Sequence, residues 1–201
     1  MEFDSKDELD RVTNFIIFKR DIVEDVVEDD DLTKMAIIYF VISIIITVIS
    51  TIVTFQVDYT YQVATYGAMS YLVRTPTIIS ISMNAISQGM LPVFGWIFTW
   101  QAGIWFKTEN DSKETILRTF GYSRFLVIIG QACSFLSLIY SIYFAVMLVE
   151  FLFTIWALIL IIYSVMIVLK KSAWITICVL IVAGIISLLC ILPFSAVAMF
   201  F

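Results

Sequence analysis

The side chains that most often carry chemistry are sparse in this sequence, and their spacing excludes most catalytic machinery. The chain has no histidine, and Cys133, Cys178 and Cys190 stand far apart. Imidazole acid–base catalysis, Ser-His-Asp arrangements and histidine or thiolate metal sites are therefore excluded. All three cysteines lie in apolar stretches and read as packing residues, with no support for a disulfide framework. No Gly-x-x-x-x-Gly-Lys or Gly-x-Gly-x-x-Gly loop is present to cradle phosphate. No pair of aspartates lies within an apolar segment to form a protease dyad. The acid run Glu28–Asp31 lacks the spaced ligands and turn glycine of a calcium loop, and reads as a solvated charge run. The chain is thus expected to be non-enzymatic, with no cofactor and no metal.

Two features in the apolar part remain as candidates. Glu150 is the single charge between Phe125 and Leu169. A charge kept inside a membrane is costly and marks function by default. Placed at an interfacial hairpin turn, however, Glu150 reads as a structural residue ahead of a proton or substrate site. The run Gly89-Met-Leu-Pro92-Val-Phe-Gly95 has the look of a discontinuous transporter helix, but no second break matches it. Asn84, Gln88, Gln101 and Gln131 are expected to hydrogen-bond between helices.

Composition decides what elements must hold these side chains. Of 201 residues, 61% are hydrophobic and 14% charged, with mean hydropathy +1.00. A soluble domain has roughly 45–50% apolar and about 25% charged residues. Four stretches of at least twenty residues contain no Asp, Glu, Lys or Arg: Met35–Val57, Thr75–Phe106, Phe125–Val149 and Ser172–Phe201. About 20 helical residues cross a hydrocarbon core of ~30 Å, so the chain reads as an integral membrane protein. Its overall charge of −5 is unevenly placed: residues 1–34 carry twelve acids and five bases, a balance of −7 that leaves +2 for the rest. An acidic tail on a slightly basic membrane body argues against nucleic-acid binding.

The tail has no secretory signal pattern, so the first apolar segment is expected to remain as a span. Ser5-x-x-Glu8 has capping-box spacing, and Leu9, Val12, Phe15, Ile16, Ile22, Val23, Val26 and Val27 recur at three- and four-residue intervals. An amphipathic helix over about 6–28 follows, either on the membrane interface or packed under the bundle. Residues 35–201 then divide into five spans at about 35–55, 78–106, 125–143, 150–169 and 173–192. Residues 56–77, with Asp58, Tyr59, Tyr61, Tyr66, Tyr71, Arg74 and Pro76, read as an interfacial loop, and 107–124 as a polar loop. The 45 residues from Phe125 to Leu169 would form a helix of about 67 Å, so they must fold back. The turn is expected near Tyr143–Glu150.

Lysine and arginine fix orientation. Five crossings place eleven of the twelve bases on one side, with Arg74 alone on the other. That predicts a cytosolic N-terminus and a C-terminus outside. The fold class expected is all-α: a polytopic bundle of five transmembrane helices with an N-terminal cytosolic amphipathic helix.

The segment Glu114-Thr-Ile-Leu-Arg118-Thr-Phe-Gly121-Tyr122-Ser123, followed by an apolar hairpin, a short basic turn and a final span, resembles the Yip (Ypt-interacting protein) domain family. The resemblance implies five passes and a cytosolic N-terminus, with a Gly-Tyr pair introducing the third span. For eukaryotic members it implies binding of prenylated Rab GTPases and a part in vesicle traffic. Two departures stand out: Arg124-Phe125-Leu126 replaces the proline common after the Gly-Tyr pair, and only Asp31-Leu32 is left of an Asp-Leu-x-Gly-Pro motif. The chain in this respect looks more like the prokaryotic branch, in the cell membrane. Physically, Gly121 permits a turn or close approach, while Tyr122 reads as an interfacial anchor with its hydroxyl among headgroups.

The leading expectation is a protein that works by protein–protein contact in the membrane, as a scaffold, trafficking or membrane-organising factor. Its partners are membrane lipid and a protein at the cytosolic face, with self-association a further option. Gly121, Tyr122, Arg118, Glu150 and Pro92 are the candidate structural or partner-contact residues. The alternative is a small transporter or channel subunit using the second span.

Overall fold

The computed structural model describes residues 5–67, 77–106, 112–135 and 143–200. Tyr71, Arg74, Pro76 and Lys107, used above to place loops and charges, lie outside the described residues. Among the described residues the chain forms seven α-helices and no strand: α1 (Ser5–Ile16), α2 (Arg20–Glu28), α3 (Thr33–Tyr66), α4 (Ile78–Trp105), α5 (Lys113–Ser134), α6 (Tyr143–Leu169) and α7 (Ala173–Phe200). A 3₁₀ turn, Asp30–Leu32, joins α2 to α3.

The single amphipathic helix expected over 6–28 is two helices. Phe18 adopts φ +62° and ends α1, with Lys19 N–H donating to Asn14 O (3.0 Å) and Phe18 N–H to Phe15 O (3.1 Å). This is the Schellman arrangement, which usually takes glycine at the left-handed position. The strain, about 1–2 kcal/mol for a residue with a Cβ, is offset where the Phe18 ring packs edge-on to Trp156 and Tyr163, at centroid distances of 5.3 and 5.5 Å. The break turns both apolar faces inward, burying Val12, Phe15, Val23 and Val26 beneath a cap on one end of the bundle.

In the bundle, α3 runs from Thr33 to Tyr66, so residues 56–66 continue the helix where a loop was expected. Nothing breaks it before Gly67, whose φ of +51° ends the helix. The α4 helix passes unbroken through Gly89, Pro92 and Gly95, starting from a reciprocal capping box between Thr77 and Ser80. It is therefore no discontinuous helix. Segment 113–124, expected as a loop, forms the first half of α5, with the Ser112 hydroxyl at its N-cap. The turn expected at Tyr143–Glu150 is instead the start of α6, which carries Glu150 in its second turn. No glycine or proline interrupts that stretch.

Among the described residues, four segments are long and apolar enough to cross a membrane: Asp30–Tyr66, Ile78–Trp105, Phe144–Leu169 and Ala173–Ala198. Their outward faces carry exposed large apolar side chains, among them Ile45 on α3, Phe151 on α6 and Leu188 on α7. Such a contiguous apolar exterior suits lipid. The fifth long helix, α5, is different. Every residue from Thr115 to Ser123 is buried, although four of those nine carry hydroxyl or guanidinium groups other than the Tyr122 phenol. A helix enclosed on all sides by protein need not be apolar towards lipid. Its hydroxyls bond back to its own backbone, as in Thr119 to Ile116 O (2.8 Å) and Ser123 to Thr119 O (2.7 Å), whereas Nε of Arg118 and of Arg124 is buried without a hydrogen-bond partner.

Helices α3 and α5 lie parallel. Arg118 meets Thr33, Gly121 meets Ala36 and Gln131 meets Thr47, so the register holds along the pair. A Cβ on Gly121 would stand 2.3 Å from the Ala36 carbonyl oxygen, which shows how closely the two backbones approach.

Candidate functional site: the latch beneath the N-terminal cap

Three side chains on α5 singled out from the sequence, Arg118, Gly121 and Tyr122, come together where the cap meets the bundle. Tyr122 is fully buried and its hydroxyl donates to Glu8 Oε1 at 2.9 Å. The expected anchor among headgroups is thus a buried tie to α1. Tyr39 of α3 donates to the same oxygen at 2.9 Å, and Arg11 Nη1 donates to Glu8 Oε2 at 2.6 Å. Glu8 is only 6% exposed, and these charge-assisted bonds make its burial tolerable. Burial pulls the Arg11 guanidinium's pKa down, but the charge and hydrogen bond of Glu8 outweigh it and leave it raised. Phe15 packs tilted and Tyr39 edge-on against the Tyr122 ring, with centroids 5.5 and 5.4 Å away.

Glu8 was assigned above to a capping box led by Ser5. Ser5 is instead the first residue of α1, and the Glu8 carboxylate is taken by the two tyrosines and Arg11. The signal for this lies in the periodicity: Glu8 shares the α1 face of Val12 and Phe15, and a charge in an apolar stripe needs partners.

Arg118 forms the second half of the latch. It is 2% exposed and donates to Asp30 Oδ1 (2.7 Å), Thr33 Oγ1 (3.0 Å), Thr115 Oγ1 (3.2 Å) and the carbonyl of Val27. The Asp30 side chain is 93% exposed, so solvent screens that ion pair and little stability comes from it. The buried bonds matter more. The Val27 carbonyl lies in the last turn of α2, where carbonyls lack helical partners and the helix dipole favours a cation. α1 is tied in the same way: Trp156 Nε1 of α6 donates to Ile16 O at 3.1 Å. The bundle thereby caps the C-terminus of both cap helices.

The other two sequence candidates lie elsewhere. Glu150 is half-buried on α6, outside the latch and six residues before the Trp156 that bonds to Ile16, and Pro92 is buried within α4. The outer face of the cap is acidic, with Asp7, Asp10, Asp21, Asp25, Glu28 and Asp29 all exposed. The geometry of the latch is that of a clamp.

The fold and the clamp together define a multi-pass α-helical membrane protein whose N-terminal helix pair is docked on one end of its bundle. Residues 14–194 match the Yip1 domain, and the chain belongs to that family. No curated protein and no solved structure gives a significant match to the chain.

Proposed function

We propose that this protein is non-enzymatic and acts through protein–protein contacts made by its cap, as a scaffold, trafficking or membrane-organising factor. One observation carries the reading: a densely acidic outer face is held rigidly to the bundle by a buried clamp. Such a surface suits a partner with a basic face, because complementary charge steers encounter and fixes register. The cap is proposed to face the cytosol, with five crossings that place the C-terminus outside. α5 supports the count, since its 22 residues extend about 33 Å alongside α3, which is itself long enough to cross. The compact loops and the incomplete Asp31-Leu32 motif favour a prokaryotic cell membrane.

The test is charge reversal of exposed cap residues, Asp21→Lys with Asp25→Lys and Glu28→Lys, followed by co-purification in mild detergent. Partners recovered with the wild-type chain are expected to fall at least about tenfold, in a salt-sensitive manner. Unchanged recovery from a variant that elutes normally would assign docking to another surface.

A further inference from the structure

The turn between the two cap helices, residues 16–18, reaches down the side of α6. Trp156 Nε1 donates to Ile16 O at 3.1 Å, and the Phe18 ring lies 5.3 Å from that of Trp156 and 5.5 Å from that of Tyr163. Within the apolar segment Phe144–Leu169, Trp156 stands twelve residues from one end and thirteen from the other. The segment rises about 38 Å, against a hydrocarbon core of ~30 Å. Wherever that core lies along the segment, Trp156 is at least about 10 Å inside it. Tyr163 stands six residues before Leu169, about 9 Å from the cap end of α6, and the segment exceeds the core by only about 8 Å. The turn between these two levels is therefore at hydrocarbon depth.

The residue pattern of α1 suits a helix lying edgewise at the membrane surface. At about 100° per residue, Glu8, Val12 and Phe15 face the bundle, Leu9 and Ile16 form one flank, and Asp7, Arg11 and Asn14 form the other. The two flanks point opposite ways along α6. Arg11 borders a recess with Asp25, Glu28 and Asp29 of the acidic face. Ile16 borders a groove with Leu126, Val149, Leu152, Phe153 and Trp156, farther from the cap end. Leu9 is 60% exposed and Ile17 61%. The Thr13 hydroxyl, beside Leu9, donates to Leu9 O at 2.8 Å, so it presents no free donor to an apolar phase. The charge that follows the turn points back towards water: Arg20 bonds Glu24 at 2.7 Å and borders a recess with Lys170 and Lys171 at the end of α6.

We infer that the 16–18 turn and the α1 flank carrying Leu9 and Ile16 are inserted into the acyl region of the leaflet on the cap side, and that the groove beside Ile16 holds a phospholipid acyl chain. The groove has a volume of about 410 Å³. Of its six lining side chains only Trp156 can hydrogen-bond, through the Nε1 already given to Ile16 O. It is continuous with the exposed apolar face of α6 formed by Leu148, Phe151 and Leu152, which suits lipid. Insertion buries Leu9 and Ile17, which the protein alone leaves exposed, while the acidic outer face stays in water. The inference rests on α6 crossing a bilayer and not on any partner of the acidic face.

The experiment uses the full chain, with Cys133, Cys178 and Cys190 replaced by alanine, reconstituted in phosphatidylcholine vesicles. A nitroxide on Ile17→Cys is expected to collide with oxygen at least about threefold more often than with a water-soluble nickel chelate, and one on Asp25→Cys to show the reverse. A bimane on Ile16→Cys reports the occupant of the groove. Phosphatidylcholine with a nitroxide midway along its acyl chain is expected to quench it at least about twofold more than phosphatidylcholine with a headgroup nitroxide. Preferential collision of the Ile17 label with the chelate places the turn in water and overturns the insertion. Shielding from both reagents means that protein, whether a partner or a second copy, covers the turn, and overturns it equally. Stronger quenching from the headgroup nitroxide overturns the acyl chain as occupant. Ile17 is exposed, so its label disturbs no packing, and that measurement decides the insertion by itself should Ile16→Cys fail to fold.

Discussion

A single methyl group at position 121 distinguishes backbone contact from side-chain contact. In Gly121→Ala the new Cβ would meet the Ala36 carbonyl oxygen at 2.3 Å and two further Ala36 backbone atoms at 2.7 Å. Backbone cannot swing aside, so α3 and α5 must part, at a cost of roughly 3 kcal/mol. In Gly130→Ala the clash is milder: the Phe153 Cβ is the one atom closer than 3 Å, at 2.9 Å, so a shift between α5 and α6 of a few tenths of an ångström relieves it. Thermal unfolding in detergent should therefore rank Gly121→Ala well below Gly130→Ala, and equal midpoints would refute the close packing. Glu8 and Tyr122 supply a second prediction at this scale. Tyr122→Phe removes a hydrogen bond to a buried carboxylate, worth about 1.5–3 kcal/mol. Combined with Glu8→Gln in a double-mutant cycle it should show coupling of about 1 kcal/mol or more, whereas additive losses would place the two side chains in separate environments. The sequence marks Gly121 and Tyr122 as a pair but says nothing of their partners, because Ala36 and Glu8 are 85 and 114 positions away.

At the scale of elements, the cap helices depend on side chains from the bundle to close their C-terminal ends. Arg118→Met keeps the volume while removing every donor to Val27, Asp30, Thr33 and Thr115. The expected outcome is release of the cap with the bundle intact, seen as new protease cleavage around residues 17–19 and 29–32 under conditions that leave the wild-type chain whole. Arg118→Lys should behave almost the same way, since one ammonium cannot reproduce a planar fork of donors. Deleting residues 1–30 is a harsher change than an acidic tail suggests, because it strips Val12, Phe15, Val23 and Val26 from the core. Helices α3, α4, α6 and α7 were legible as apolar runs, since each faces lipid and must look apolar to do so. α5 was half lost to an expected loop for the opposite reason: its polar residues face protein partners that hydropathy cannot represent. The split of the cap was hidden too, because Phe18 adopts a backbone conformation that the sequence pattern assigns to glycine.

At the scale of the whole molecule, the number of crossings and the direction of α5 are one question. Parallel register with α3 at both Thr33–Arg118 and Thr47–Gln131 means that α5 travels the same way through the bundle. α4 must then return between them, α6 must return after α5, and α7 must leave again. Lys171, at the short turn between α6 and α7, therefore belongs on the cap side, while Ala198, about 37 Å along α7 from Ala173, belongs on the other. With Cys133, Cys178 and Cys190 replaced by alanine, single cysteines at positions 25, 171 and 198 can be probed with an impermeant maleimide in oriented vesicles. Asp25→Cys and Lys171→Cys should label from the same side and Ala198→Cys from the opposite one. Labelling of Lys171→Cys from the side opposite Asp25→Cys, with Ala198→Cys back on the side of Asp25→Cys, would mean that α5 does not cross and that the number of crossings is even. That pattern would overturn the proposal of five crossings, which rests on the 22 residues of α5 running in register beside a neighbour long enough to span.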